Sequence, residues 1–141
     1  MTITEFLLAR ITEDEKVARA AAREGGGERW QISVVHSAMV QLDDGTEWGG
    51  ETVVYDEGRP GEEQAAHIAR HDPARVLAGC EAKRRVVELA ASWSDHADRH
   101  PAGPDAVSAV LKAQAITAET VLRTLAREWA DHPDYREEWP A

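Results

Sequence analysis

Three consecutive glycines, Gly25–Gly27, separate two parts of the chain with different sequence patterns. Thr2 and Glu5 stand before them at the spacing of a capping box, in which each residue's side chain satisfies the other's backbone N–H. Three glycines in a row lose too much backbone entropy to stay helical. We therefore predict a helix from about residue 3 to 24, because apolar residues recur there at helical spacing: Ile3, Phe6, Leu7, Ile11, Ala18 and Ala21.

The segment from 28 to 56 carries the β-branched and aromatic residues that favour strands. The stretches RWQISVVH, AMVQLDDGTEW and ETVVYD are broken by Asp44-Gly45 and Gly49-Gly50, and Asp-Gly suits a two-residue type I′ turn. We predict a small three-stranded antiparallel sheet, followed by a loop at 56–61. The apolar rows assigned to it are Trp30, Ile32 and Val34, Val40 with Leu42, and Val53 with Tyr55.

From residue 62 to 131 the pattern is helical, with marked breaks. Asp72-Pro73 ends a short helix and begins a long one, since Asp caps free amides and Pro fits a first turn. The stretch HPAGPD, 100–105, ends the long helix, and Asp105 caps a last helix that Thr117 could interrupt. The prediction is one α+β domain over 1–141: helix 1–24, strands 28–56, a short helix and a long antiparallel helix pair within 62–131, and a tail at 132–141.

The core of such a domain would be small. Leu, Ile, Val and Phe together number 26, whereas Ala alone numbers 24. Because alanine fills little volume, burying more surface by self-association would stabilise this chain more than most. We therefore expect a homodimer.

The charge balance excludes several classes of partner. A net charge of -10 is unfavourable for binding nucleic acid, and intrahelical pairing with Glu81 and Glu88 explains the basic run Lys83-Arg84-Arg85. A more distant alternative is an acidic mimic of nucleic acid. Cys80 is the single cysteine, and we find neither a signal peptide nor a long apolar segment. We therefore expect a cytoplasmic protein without a membrane partner.

Several motifs carry a resemblance to a known family. These are FLLARITEDEKVARAA, HIARHDPARVL followed by EAKRR, and DHPDYREEW near the end. In these motifs the chain resembles small actinobacterial proteins of a family of unknown function, and the resemblance implies an actinobacterial or phage-associated origin. The stretch from about Leu89 to Thr120 is longer than the pattern of that family. The resemblance implies no activity, cofactor or catalytic residue.

Two histidine pairs are the candidates for a metal centre. His67 and His71, with Asp72, and His96 and His100 are each spaced by one helical turn. If the pairs faced each other, a metal-dependent hydrolase using all four histidines would be conceivable. The sequence HIARH lacks the glutamate that a zinc protease places after its first histidine, and Asp72 has a capping role. We favour solvated or helix-ending roles, and we expect no catalytic residue and no cofactor.

The long helix carries two apolar stripes, about 90° apart. One contains Val76, Cys80, Val87 and Ala90, and the other contains Val86, Leu89, Trp93 and Ala97. A second stripe indicates either a helix packed on two sides or an association surface. The tail either docks on its own chain or is held by another chain. We favour a non-catalytic interaction or regulatory module that binds itself or another protein, with these interface candidates: Val86, Leu89, Trp93, Trp129, Tyr135 and Trp139.

Overall fold

The computed structural model of the chain describes residues 1–55, 60–100, 103 and 105–139. Its elements are α1 (Ile3–Glu24), β1 (Trp30–Ile32), β2 (Val40–Leu42), β3 (Thr52–Val54), α2 (Glu62–Arg70), α3 (Pro73–Arg99) and α4 (Ala106–Ala126), and a 3₁₀ turn (Arg127–Trp129) follows α4. The predicted α+β class and order of elements are confirmed. Residues 56–59 of the predicted loop, and 101, 102 and 104 of the predicted break, lie outside the described residues.

Side-chain caps explain where α1 and α4 begin. The Thr2 amide donates to the Glu5 carboxylate at 2.7 Å, and the Glu5 amide donates to the Thr2 hydroxyl at 3.2 Å. The bond from the Thr2 amide lowers the pKa of Glu5. Asp105 likewise accepts from the Ser108 amide at 2.9 Å, which lowers the pKa of Asp105. Both starts were predicted, because a cap involves only residues three apart in sequence.

Thr117 does not interrupt α4. Its hydroxyl donates to the Ala113 carbonyl at 2.9 Å, one turn earlier in the same helix. A threonine that bonds back in this way satisfies its hydroxyl without leaving the helical conformation.

The sheet is antiparallel with the strand order β1-β2-β3. Trp30 lies opposite Leu42, and Val40 lies opposite both Ile32 and Val54. A register shift between Val40 and Gln41 marks a bulge in the β2–β3 pair. The meander agrees with the prediction, although each strand has only three residues.

The β2–β3 connection is longer than the predicted two-residue turn. The backbone closes the loop at Leu42, whose N–H donates to the Glu51 carbonyl and whose carbonyl accepts from the Gly50 N–H, both at 2.9 Å. Asp43 and Asp44 accept from amides two residues on, at 3.1 and 2.9 Å. These Asx turns compete with the tight turn for the same residues, so the loop spans 43–49.

The predicted apolar rows are shorter than expected. Val34 is 58% exposed and Tyr55 is 63% exposed, whereas Val40 is fully buried. The chain turns after Ser33, whose hydroxyl accepts from the Val35 amide at 3.2 Å. Val34 therefore lies beyond the end of β1, and its expected place in a row with Trp30 and Ile32 is wrong.

The chain separates into two compact units. The sheet unit comprises residues 13–80, so it holds the end of α1, the sheet, α2 and the start of α3. Helix α2 packs against β1 and β2. Among the described residues of this unit, the buried apolar side chains are Ala18, Val40, Ala65, Pro73 and Cys80. Three of these five are alanine or cysteine, as the composition suggested.

The helical unit comprises residues 1–12 and 81–141. The end of α3 shares a groove with the first half of α4, where Ala97 and Leu111 are among the lining residues. Nearer the start of α3, Lys83 forms an ion pair with Glu128, just after α4. The two helices are therefore antiparallel, as predicted. Among the described residues of this unit, the buried side chains are Phe6, Leu7, Ile11, Val87, Ala90, Leu111, Ala118, Leu122, Ala126 and Trp139.

Candidate functional site

The carboxylate of Asp72 joins a helix start to a strand. One oxygen accepts from the Arg75 amide at 2.8 Å and caps α3, and the other accepts from the Trp30 amide at 3.3 Å. The nearby Ala74 amide donates to the Glu28 carbonyl at 2.9 Å. The predicted cap is thus present, and its second partner comes from 42 residues earlier in the sequence. Both oxygens have structural partners here.

We expect replacement of Asp72 by alanine to lower the free energy of unfolding by about 1–2 kcal/mol, because it removes the cap of α3 and leaves the Trp30 amide without its acceptor. Urea denaturation measures the change. Asp95→Ala is the control, since Asp95 is exposed within the same helix and we expect a change within about 0.5 kcal/mol. Equal denaturation midpoints for the two variants would contradict the structural role of Asp72.

In each of the two candidate histidine pairs, the two imidazole rings lie close together. His67 and His71 are exposed with ring centroids 4.4 Å apart, and His96 and His100 are exposed with centroids 4.7 Å apart. Within the described part of the chain, no three side chains of His, Cys, Asp and Glu are grouped so that they could hold a metal ion. A metal centre needs three or four converging ligands, so two rings alone supply no catalytic metal site.

A groove of about 560 Å³ lies between the end of α3 and the first half of α4. Among its lining residues, Asp105 and Ser108 bond to each other at the start of α4. Its other polar side chains include Asp98, His100 and Lys112. The Ser108 hydroxyl donates to the Asp105 carboxylate at 3.1 Å, and the same carboxylate caps α4.

Residues 132–139 of the predicted tail pack on α1, and residues 140 and 141 lie outside the described part of the chain. Phe6 is fully buried, and its ring centroid lies 5.2 Å from that of Trp139, 5.8 Å from that of His132 and 6.1 Å from that of Tyr135. Arg10 donates to His132 and lies 3.9 Å from the Asp134 carboxylate. Of the two alternatives for the tail, the structure shows it docked on its own chain. Only 8% of Trp139 is exposed, so it offers little surface to a partner.

The other two tryptophans proposed for an interface are half-buried. Trp129 packs against Lys83, whose ammonium lies 4.9 Å from the ring centroid. This cation–π contact and the ion pair with Glu128 hold Lys83 of α3 against the residues that follow α4. Trp93 lies on the second stripe of α3.

The two stripes of α3 have different environments. Val87 and Ala90 on the first are buried, whereas Val86 and Leu89 on the second are 40% and 52% exposed. We call Ala82, Val86, Leu89 and Trp93 the α3 strip; they follow one another at helical spacing and are exposed or half-buried. The first stripe therefore forms core, and the α3 strip is open to a partner.

Helix α4 carries a second exposed surface, which the sequence analysis missed. We call it the outer face; all its residues are exposed and none is charged: Ala106, Val110, Ala113, Ile116, Thr117, Thr120 and Thr124. Val110 is 57% exposed and Ile116 is 58% exposed. Surface helices usually carry charged residues on the face opposite their buried stripe. The absence of charged residues from this face of α4 could have been recognised in the sequence.

A family model for DUF6221, a family of unknown function, matches residues 1–141. The chain belongs to this family. No curated protein and no solved structure matches the chain. No helix in the described ranges is long and apolar enough to cross a bilayer. Membership of DUF6221 assigns no activity or substrate to the chain.

Proposed function

We propose that this protein is a non-catalytic interaction module that self-associates through α3 and α4, as a homodimer. The observation that carries the proposal is the outer face of α4, which is exposed along the whole helix and has no charged side chain. A solvated helix face is normally charged, whereas an association surface is depleted of charge at its centre.

We propose the cytoplasm as the location of the protein. The chain has one cysteine, Cys80, and its buried thiol suits a reducing compartment.

The threonine side chains of the outer face are suited to burial in an interface. The hydroxyls of Thr117, Thr120 and Thr124 each donate to the carbonyl four residues earlier, at 2.8–2.9 Å. Since these donors already have partners within the helix, a second protein surface can cover them without leaving a donor unpaired. What they present outward is largely methyl groups.

The aliphatic side chains supply the driving force. Leu89 on the α3 strip and Val110 and Ile116 on the outer face are all more than half exposed. Full burial of such a side chain contributes about 1.5–3 kcal/mol, so covering the exposed half contributes roughly 1 kcal/mol each. The chain contains 24 alanines, which fill little volume when buried, so this additional burial would add usefully to stability.

Sedimentation velocity over a range of protein concentrations tests the proposal. We expect the wild type to dimerise, and we expect Leu89→Glu and Ile116→Glu to shift it to monomer, because each buries an unpaired charge. Val17→Glu is the matched control: Val17 is 64% exposed, lies on α1 and is outside both surfaces. Circular dichroism verifies that each variant keeps its helices. A wild type that stays monomeric throughout would overturn the proposal.

A further inference from the structure

Two imidazole rings lie side by side at the end of α3, those of His96 and His100. We propose that these two rings chelate one divalent transition-metal ion of the zinc, nickel or copper type. The site is a surface site without catalysis, and water holds the remaining positions of the ion. This inference goes beyond the proposed self-association and does not depend on it.

The spacing of the pair suits chelation. His96 and His100 are one helical turn apart, so their side chains leave the same face of the chain. Their ring centroids are 4.7 Å apart, and the ring planes are inclined by 50°. With metal–nitrogen bonds of about 2.0–2.1 Å, two imidazoles on one ion have centroids roughly 4.5–5.2 Å apart. The backbone therefore already holds the two rings at a chelating separation.

A hydrogen bond fixes the tautomer of one ring. Nδ1 of His100 lies 3.2 Å from the carbonyl oxygen of His96. A carbonyl only accepts, so Nδ1 carries the proton and the neutral ring has its lone pair on Nε2. Metal-binding histidines commonly donate their other nitrogen in this way, which orients the ring and makes the ligating nitrogen more basic. The structure thus assigns Nε2 of His100 as a ligand atom.

The surroundings of the pair suit a cation. Helix α3 ends at Arg99, and the last carbonyls of a helix carry partial negative charge. Asp95 and Asp98 are exposed beside the two rings. The Arg99 side chain directs its Nε to the Asp95 carbonyl at 3.0 Å. The groove next to the pair also contains Lys112 and Asp105, whose charges are opposite. Both histidines are exposed, so an ion and its water ligands can reach them.

The ligand set determines which ions bind. Imidazole suits Zn²⁺, Ni²⁺ and Cu²⁺, whereas Mg²⁺ and Ca²⁺ prefer oxygen ligands. In the described ranges no third His, Cys, Asp or Glu completes a group that could hold a metal ion. Two ligands on one rigid segment still bind more tightly than one, because the second imidazole binds intramolecularly. We therefore expect a selective site of modest affinity.

Nuclear magnetic resonance of the ¹⁵N-labelled protein during a Zn²⁺ titration tests the site, since long-range ¹H–¹⁵N spectra report each imidazole nitrogen separately. We expect His96 and His100 to respond together, at Zn²⁺ concentrations at least about tenfold lower than those that affect His36. His36 is the internal control, because it is exposed and has no second histidine within four residues. Nε2 of His100 should change its ¹⁵N shift while Nδ1 keeps its proton. Mg²⁺ should cause no response at these rings.

Two single variants complete the test. We expect His100→Ala to weaken the Zn²⁺ response of His96 at least about tenfold, to that of His36. His71→Ala is the matched control, because it removes a histidine of the same spacing at the end of α2, and it should leave the response of His96 unchanged. Circular dichroism verifies that both variants keep their helices.

Two results would overturn the proposed site. One is a response of His96 and His100 only at the Zn²⁺ concentrations that also affect His36. The other is a response of His96 that persists unchanged in His100→Ala. Because sedimentation in the absence of metal tests self-association, either proposal can fail without the other.

Discussion

Replacing Phe6 with alanine should lower the free energy of unfolding by about 3–5 kcal/mol, the largest effect of any substitution proposed for this chain. Phe6 is fully buried, and it is the residue on which the tail packs. Its ring contacts His132, Tyr135 and Trp139, and the Arg10 guanidinium lies 5.7 Å from its centroid. Removing the ring loses the free energy gained by burying it. It also leaves a cavity lined by aromatic rings, which cannot all move to fill it.

Urea denaturation followed by circular dichroism measures this change. Tyr55→Ala is the control, because Tyr55 is 63% exposed and its removal should change stability by no more than about 0.5 kcal/mol. Tryptophan fluorescence adds a second readout, since loosening of the tail should expose Trp139. A loss below about 1 kcal/mol would mean that the tail does not depend on Phe6.

Replacing Gly49 with alanine should lower the free energy of unfolding by about 2–4 kcal/mol. Gly49 has a φ of +68°, a conformation that costs alanine about 1–2 kcal/mol. A Cβ there would also lie 1.9 Å from Nε2 of Gln41. Gln41 is only 5% exposed and donates to the Trp48 carbonyl at 2.6 Å, so it cannot move aside without losing that bond.

Gly45→Ala measures the cost of the backbone conformation without a contact to Gln41. Gly45 has a similar φ of +79°, and a Cβ there would meet open space. We therefore expect it to cost only the conformational part, about 1–2 kcal/mol. Thermal or urea denaturation of both variants gives the difference. Equal losses would show that the contact with Gln41 imposes no constraint on this loop.

The boundaries of the helices could be predicted because they depend on near neighbours. The capping box of Thr2 and Glu5 and the cap at Asp105 each involve residues three apart, and Pro73 begins α3 through its own ring. The two-residue turn at Asp44-Gly45 failed for a related reason. The aspartate side chains there bond locally and hold a longer loop that the dipeptide rule does not describe.

The candidate surfaces were only half predictable. The α3 strip was found because its apolar residues repeat at helical spacing, although spacing alone did not tell which stripe is buried. The outer face was missed because alanine and threonine give a weak apolar signal. Its exposed, uncharged character becomes clear only when Leu111, Ala118 and Leu122 are known to face inward.

The sequence by itself determined the elements: their order, their ends and the antiparallel helix pair, since local caps, glycines and periodicity act over a few residues. Only the tertiary structure decided which surfaces meet. Asp72 bonds to Trp30 across 42 residues, and Arg10 bonds to His132 across 122 residues. Such partners are chosen by packing of the whole chain, because closing a long loop costs entropy that only many simultaneous contacts offset.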